Sequence, residues 1–185
     1  MQNKKEEQKI ENYLKSLGLY CERFSKSECL RKTPDYKVYK NNELKFFCEV
    51  KTVKAIEVGG DDPIFNKLTG DIHEAMKQFD AVNPSGDYSN ALAFVNHNEE
   101  DFYDFTDLRN TITGNLLTDT GKSEPIYRKF SEGRIQNEKT RIHLYIWLNL
   151  NKQKPHLFFN MINDKHLNNL CSIFNINPAD LKNII

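Results

Sequence analysis

The segment Thr33–Val53, TPDYKVYKNNELKFFCEVKTV, constrains this chain more than any other. Two β-prone runs, DYKVYK (35–40) and LKFFCEVKTV (44–53), flank Asn41-Asn42-Glu43, a natural hairpin connection. Pro34 keeps a helix from running through residue 33. Period-2 alternation gives the second strand two faces, with Leu44, Phe46, Cys48 and Val50 on one and Phe47, Glu49, Lys51 and Val53 on the other. Glu49 and Lys51 therefore share a face, with Cα atoms about 6–7 Å apart. Pairing of the two strands brings Asp35 alongside Glu49. Two carboxylates converging beside a lysine are costly to bury unless a cation sits between them.

A divalent cation answers that cost. Mg²⁺ takes hard oxygen ligands and keeps several waters, and Mn²⁺ can substitute for it. Such a site suits phosphodiester cleavage, because the metal neutralises phosphate charge and acidifies a bound water. The sequence thus nominates Asp35 and Glu49 as metal ligands, with the Val50 carbonyl as a further one. The Lys51 ammonium would orient the attacking water or stabilise the pentacovalent charge.

The rest of the chain reads as a mixed α/β domain. Ile10, Tyr13, Leu14 and Leu17 have helical spacing within residues 4–17, and Gly18 stops that helix. LYCERF (19–24) is a first strand. A second helix is expected over 71–82, with Asp71 and Glu74 at capping-box spacing and Ile72, Ala75, Met76, Phe79 and Val82 as its stripe. ALAFVNH (91–97) suits a buried strand. Residues 104–117 are expected to be helical, whereas 118–140 are polar without a period. RIHLYIWLNL and HLFFNM should pair as a hairpin across NKQKP, and Asn177-Pro178 caps a last helix. No repeat or linker divides the chain, so a single domain is expected, with residues 1–97 as core and 98–185 as additions.

Charge is neutral in total, 26 basic against 26 acidic residues, but unevenly spread. Residues 61–120 hold 3 basic and 12 acidic side chains, between two segments with a basic excess. Lys122, Arg128, Lys129, Arg134, Lys139 and Arg141 form a candidate stripe for a phosphate backbone. Tyr145, Trp147, Phe158 and Phe159 are expected in a hairpin core rather than stacked on bases. The four cysteines show no zinc-site spacing, and Gly121-Lys122-Ser123 lacks the leading glycine of a phosphate-binding loop. No apolar run approaches the roughly 20 residues of a membrane span, and a cytoplasmic protein is expected.

Pro34-Asp35 followed by Glu49-Val50-Lys51, behind a helix-glycine-strand opening, resembles the PD-(D/E)xK nuclease superfamily. The likeness covers roughly residues 5–97 and is closest to Holliday junction resolvases and Mrr-like restriction domains. It implies a restriction-endonuclease-like core, αβββαβ, whose mixed sheet is flanked by helices, with a C-terminal β-hairpin and helices added. It also implies a Mg²⁺-dependent nuclease in restriction, repair, recombination or mobile-element defence, acting on nucleic acid, DNA first. A homodimer would address two strands. By the same resemblance a first-helix acid joins the metal shell, with Glu7 best spaced from Gly18 and Glu11 as fallback. A polar residue of the second helix, Gln78 or Lys77, would face the site. The competing expectation is a catalytically silent nucleic-acid- or partner-binding domain that keeps the fold.

Overall fold

The computed structural model describes residues 3–25, 27–28, 32–54, 63–97, 103–117, 122–125, 135, 138–161 and 163–181. The chain runs α1 (Asn3–Ser16), β1 (Tyr20–Glu22), β2 (Tyr36–Lys40), β3 (Glu43–Val53), α2 (Pro63–Val82) and β4 (Ser89–Asn96). Then come α3 (Phe105–Thr113), β5 (Asn115–Leu117), β6 (Ser123–Pro125), β7 (Leu144–Asn149), β8 (His156–Phe159), α4 (Asp164–Phe174) and α5 (Pro178–Leu181). Six strands form one open sheet in the order β1-β2-β3-β4-β7-β8, and β5 and β6 form a separate ribbon. The pairs β3–β4 and β4–β7 are parallel, while the other pairs of the large sheet are antiparallel. The fold is therefore α/β, a mixed sheet flanked by helices.

Alternation along the strands builds two cores. Cys48, Val50, Ala91, Ala93, Val95, Leu144, Ile146 and Leu148 face α1 and α4, and pack with Ile10, Leu14, Leu170 and Phe174. Phe47, Val53, Leu92, Phe94, Tyr145 and Trp147 face α2 and α3, and pack with Leu68, Ile72, Phe79 and Leu108. Covered on both faces, β4 and β7 are buried along their whole length, as central parallel strands must be. Tyr145 and Trp147 are thus core residues, as their hairpin pattern suggested. Among the described residues, no helix is long and apolar enough to cross a membrane.

Several sequence expectations need adjustment. The hairpin loop is two residues, because Lys40 pairs directly with Glu43. Asn41 and Asn42 take φ of 54° and 63°, a left-handed pair that asparagine tolerates and a type I′ turn requires. A bulge between Val38 and Tyr39 skips Lys45 in the register. The extra residue reverses alternation, so Leu44 packs with the α2 core rather than with Phe46. Helix α2 begins at Pro63, not 71. Proline suits a first helical turn, and Asp71 lies within the helix, ion-paired to Lys67 four residues back instead of capping. The expected helix over 104–117 ends at Thr113, where Gly114 takes φ 72°, and residues 115–117 become β5. Finally, the C-terminal hairpin is not an appendage. β7 joins the main sheet beside β4, and β8 forms the sheet's edge.

Two buried histidines tie α4 to this sheet. The His143 and His166 rings lie 4.0 Å apart between centroids. The Asn90 N–H donates to His143 Nδ1 (3.0 Å), and His166 contacts Ser89 Oγ (3.0 Å) and the Gly86 carbonyl (3.1 Å). Burial, with His166 and Arg141 adding positive charge, pushes the His143 imidazole down to about 3. The folded protein then refuses a proton that the unfolded chain accepts below about pH 6.5. We expect pH-dependent thermal melts to show stability falling from about pH 6.5 toward 3, by up to about 1.4 kcal/mol per pH unit for this one proton. A His143→Gln variant should show a shallower acid slope.

Candidate active site

Asp35 stands at the bend just before β2, and Tyr36 pairs with Cys48, which sets Asp35 opposite Glu49. The two carboxylates bond reciprocally across the strands. The Asp35 N–H donates to Glu49 Oε2 (3.1 Å), and the Val50 N–H donates to Asp35 Oδ2 (2.8 Å). Each acid therefore holds the backbone beside the other. Glu49 is only 4% exposed. Burial, together with the Glu49 charge and a hydrogen bond with Glu49, pushes the Asp35 carboxyl up to about 7, against the pull of the Val50 N–H and Lys51. Burial and the nearby Glu49 charge thus both disfavour the ionised form of Asp35.

Lys51 lies on the same strand face as Glu49, as alternation requires. Its ammonium is 2.8 Å from Glu49 Oε1, 3.0 Å from Glu74 Oε2 and 3.2 Å from Gln78 Oε1. Gln78 also donates from Nε2 to the Thr33 carbonyl (2.9 Å), so α2 braces both Lys51 and the segment leading into Asp35. Of the two helix residues weighed from sequence, Gln78 meets the site. Lys77 instead lines a cleft of about 530 Å³ with His73, Met76, Asp80, Glu138 and Arg141.

The first-helix acids take other partners. Glu7 is ion-paired with Arg23 (2.5 Å). Burial pushes its carboxyl up, aided by the negative charges of Asp35 and Glu6, while Arg23 pulls it down. Glu7 therefore borders the pair electrostatically. Glu11 pairs with Lys15 (2.5 Å) and accepts from the Tyr36 hydroxyl (3.3 Å). Arg23 packs over the Tyr36 ring at 5.1 Å. Among the described residues, no group of three or more His, Cys, Asp or Glu side chains is gathered closely enough to hold a metal ion. The two neighbouring carboxylates would nevertheless fit a hard divalent cation, with water and backbone oxygen completing its shell.

Other polar side chains take partners within the fold. His97 contacts Glu6 (2.9 Å) at the end of β4. Arg141 bonds Asp80 and the Asn83 and Pro84 carbonyls, which clamps the turn after α2. Arg128, Lys129 and Arg134 lie outside the described residues. Sequence reasoning missed Glu74 and Arg23. Glu74 had a signal, since it sits one helical turn before Gln78, but the spacing from Asp71 read as a cap instead. Compared with protein-family models, with curated proteins and with solved structures, the chain matches none.

The raised Asp35 carboxyl gives a direct test. A folded-state value above the unfolded one means that ionised Asp35 destabilises the metal-free fold increasingly from about pH 4 to 7. Asp35→Asn keeps an acceptor for the Val50 N–H and removes the charge. Thermal melts of metal-free protein should show this variant stabilised by about 1–2 kcal/mol at pH 8 and by little at pH 5.

Proposed function

We propose that this protein is a divalent-metal-dependent nuclease of the PD-(D/E)xK type, with Asp35, Glu49 and Lys51 as its active site. The observation that carries the reading is the reciprocal Asp35–Glu49 pair with the Lys51 ammonium beside it. The element order supports a restriction-endonuclease-like core. A helix, a three-strand meander carrying the motif, a second helix and a parallel fourth strand follow one another as αβββαβ.

In this reading Asp35 and Glu49 would hold Mg²⁺ together with the Val50 carbonyl, with Mn²⁺ able to substitute. When bound, the cation would supply charge neutralisation at the phosphate and a more acidic water. The Lys51 ammonium would donate to the attacking water or to a phosphate oxygen and so stabilise the charge that develops there. Gln78 keeps Lys51 and the Thr33–Asp35 segment in mutual register. Glu7 stands beside the pair with Arg23 as its counter-ion and adds negative potential for a cation. DNA is the proposed substrate. A dimer would let two such sites address two strands.

The competing reading is a nucleic-acid-binding domain without cleavage. The close pairing of Lys51 with Glu49 favours it, since each already satisfies the other's charge.

Purified protein should cut or nick DNA with Mg²⁺ or Mn²⁺ and stop in EDTA. Asp35→Ala and Lys51→Ala should each lower cleavage by at least about a hundredfold while leaving circular dichroism unchanged. A Lys51→Ala protein that cleaves like the wild type rules this mechanism out. Metal-stimulated DNA binding without cleavage, on duplex, branched and single-stranded substrates alike, supports the silent-domain reading.

A further inference from the structure

We infer that Glu74 is a positioning residue that receives the Lys51 ammonium when a cation occupies the Asp35–Glu49 pair. The inference rests on the nuclease reading and extends it to a residue outside the motif. Glu74 is on α2, one turn before Gln78, and both point acceptors at the same ammonium. Lys51 is shared between Glu49 Oε1 at 2.8 Å and Glu74 Oε2 at 3.0 Å. These contacts are nearly equal in length, so Lys51 can pass from one carboxylate to the other with a small side-chain movement.

A divalent cation on Asp35 and Glu49 changes that balance. It competes with Lys51 for the Glu49 oxygens and repels the ammonium at close range. Lys51 has only modest exposure to water, so a released ammonium needs a protein acceptor. Glu74 and Gln78 are already in place for it, on a helix fixed by its apolar stripe in the core. Glu74 also ion-pairs Lys32, on the segment that leads to Asp35. One carboxylate thus holds both Lys51 and Lys32. Without its charge, cation binding would have to strip Lys51 from Glu49 with a weaker acceptor to receive it.

This mechanism acts through Lys51, and that separates it from a general field effect of one more acid near the site. Isothermal titration calorimetry of Mn²⁺ into the DNA-free protein reads it without reference to turnover. Four proteins are compared: wild type, Glu74→Gln, Lys51→Met and the double variant. Glu74→Gln should weaken Mn²⁺ binding by about three- to tenfold, the scale of one partly exposed ion pair. Lys51→Met should bind Mn²⁺ at least as tightly as wild type, because a competing cation is gone. In the Lys51→Met background, Glu74→Gln should then have almost no effect, a non-additivity that marks coupling between the two side chains. Glu74→Asp should recover part of the loss.

Equal weakening by Glu74→Gln in both backgrounds overturns the inference in favour of simple electrostatics, and no weakening in either overturns it outright. Both results leave the nuclease reading standing. Wild-type protein that binds no Mn²⁺ overturns the metal-dependent reading and this inference with it. Thermal melts of the four apoproteins exclude misfolding as the cause, since the Glu74 side chain is partly exposed.

Discussion

The structure is organised around two carboxylates that would repel one another in isolation. Asp35 and Glu49 are held together because each accepts from the other's strand, at 3.1 and 2.8 Å. A normal antiparallel ladder satisfies backbone N–H groups with backbone carbonyls. Here, at the end of β2, side-chain oxygens take over that task, so the last rung of the sheet is made of acid. The pairing is stable in register because Val38, Phe46 and Cys48 are locked in the α1–α4 core immediately beside it. Burial, with the Glu49 charge beside it, pushes the Asp35 carboxyl up to about 7. A fold that keeps such a site uses core packing elsewhere to offset it.

The two cores divide the labour around that pair. The α1–α4 side fixes the sheet through a large apolar cluster. The α2 side begins apolar at Ile64 and Leu68 and becomes polar where Glu74 and Gln78 meet Lys51. Helix α2 is therefore both a core helix and the wall of the candidate site. Its twenty residues are long enough to bury one stretch of its inner stripe while presenting acceptors from the same side to the lysine. On the opposite flank, Arg23, Tyr36, Glu7 and Glu11 form a second polar group that ties α1 to β1 and β2. Asp35 lies between these two groups, and the charge of each reaches it.

Much of the core was legible because the relevant periods are short and strong. Glu49 and Lys51 had to share a face once residues 44–53 were read as a strand, and Asp35 had to meet Glu49 once the hairpin was assumed. The helix stripe at Ile10 and Leu14, the capping role of Asn177 and the pairing of the last two long strands were equally local. What failed was also local in origin. Asp71 and Glu74 had the spacing of a helix start, yet α2 begins eight residues earlier at Pro63, because Ile64 and Leu68 pack in the core and the single Gly70 inside a helix costs only about 1 kcal/mol. One bulge residue reversed the side of Leu44, and no pattern of polarity signals a bulge in advance.

By itself, the sequence determined the α/β class, the hairpin, the shared face of Glu49 and Lys51, and Asp35 as their cross-strand companion. Those properties follow from neighbour spacing along one or two strands. Tertiary structure decided that Glu74 and Gln78, rather than Lys77, reach Lys51, since only the docking angle of α2 selects which of its faces meets β3. It also decided that Glu7 pairs with Arg23 and that β7 extends the main sheet beside β4. It placed Arg141 as a clamp on the Asn83–Pro84 turn. Each of these contacts joins segments far apart in the chain, and their distances are set by how two cores close on a twisted sheet, which no local period records.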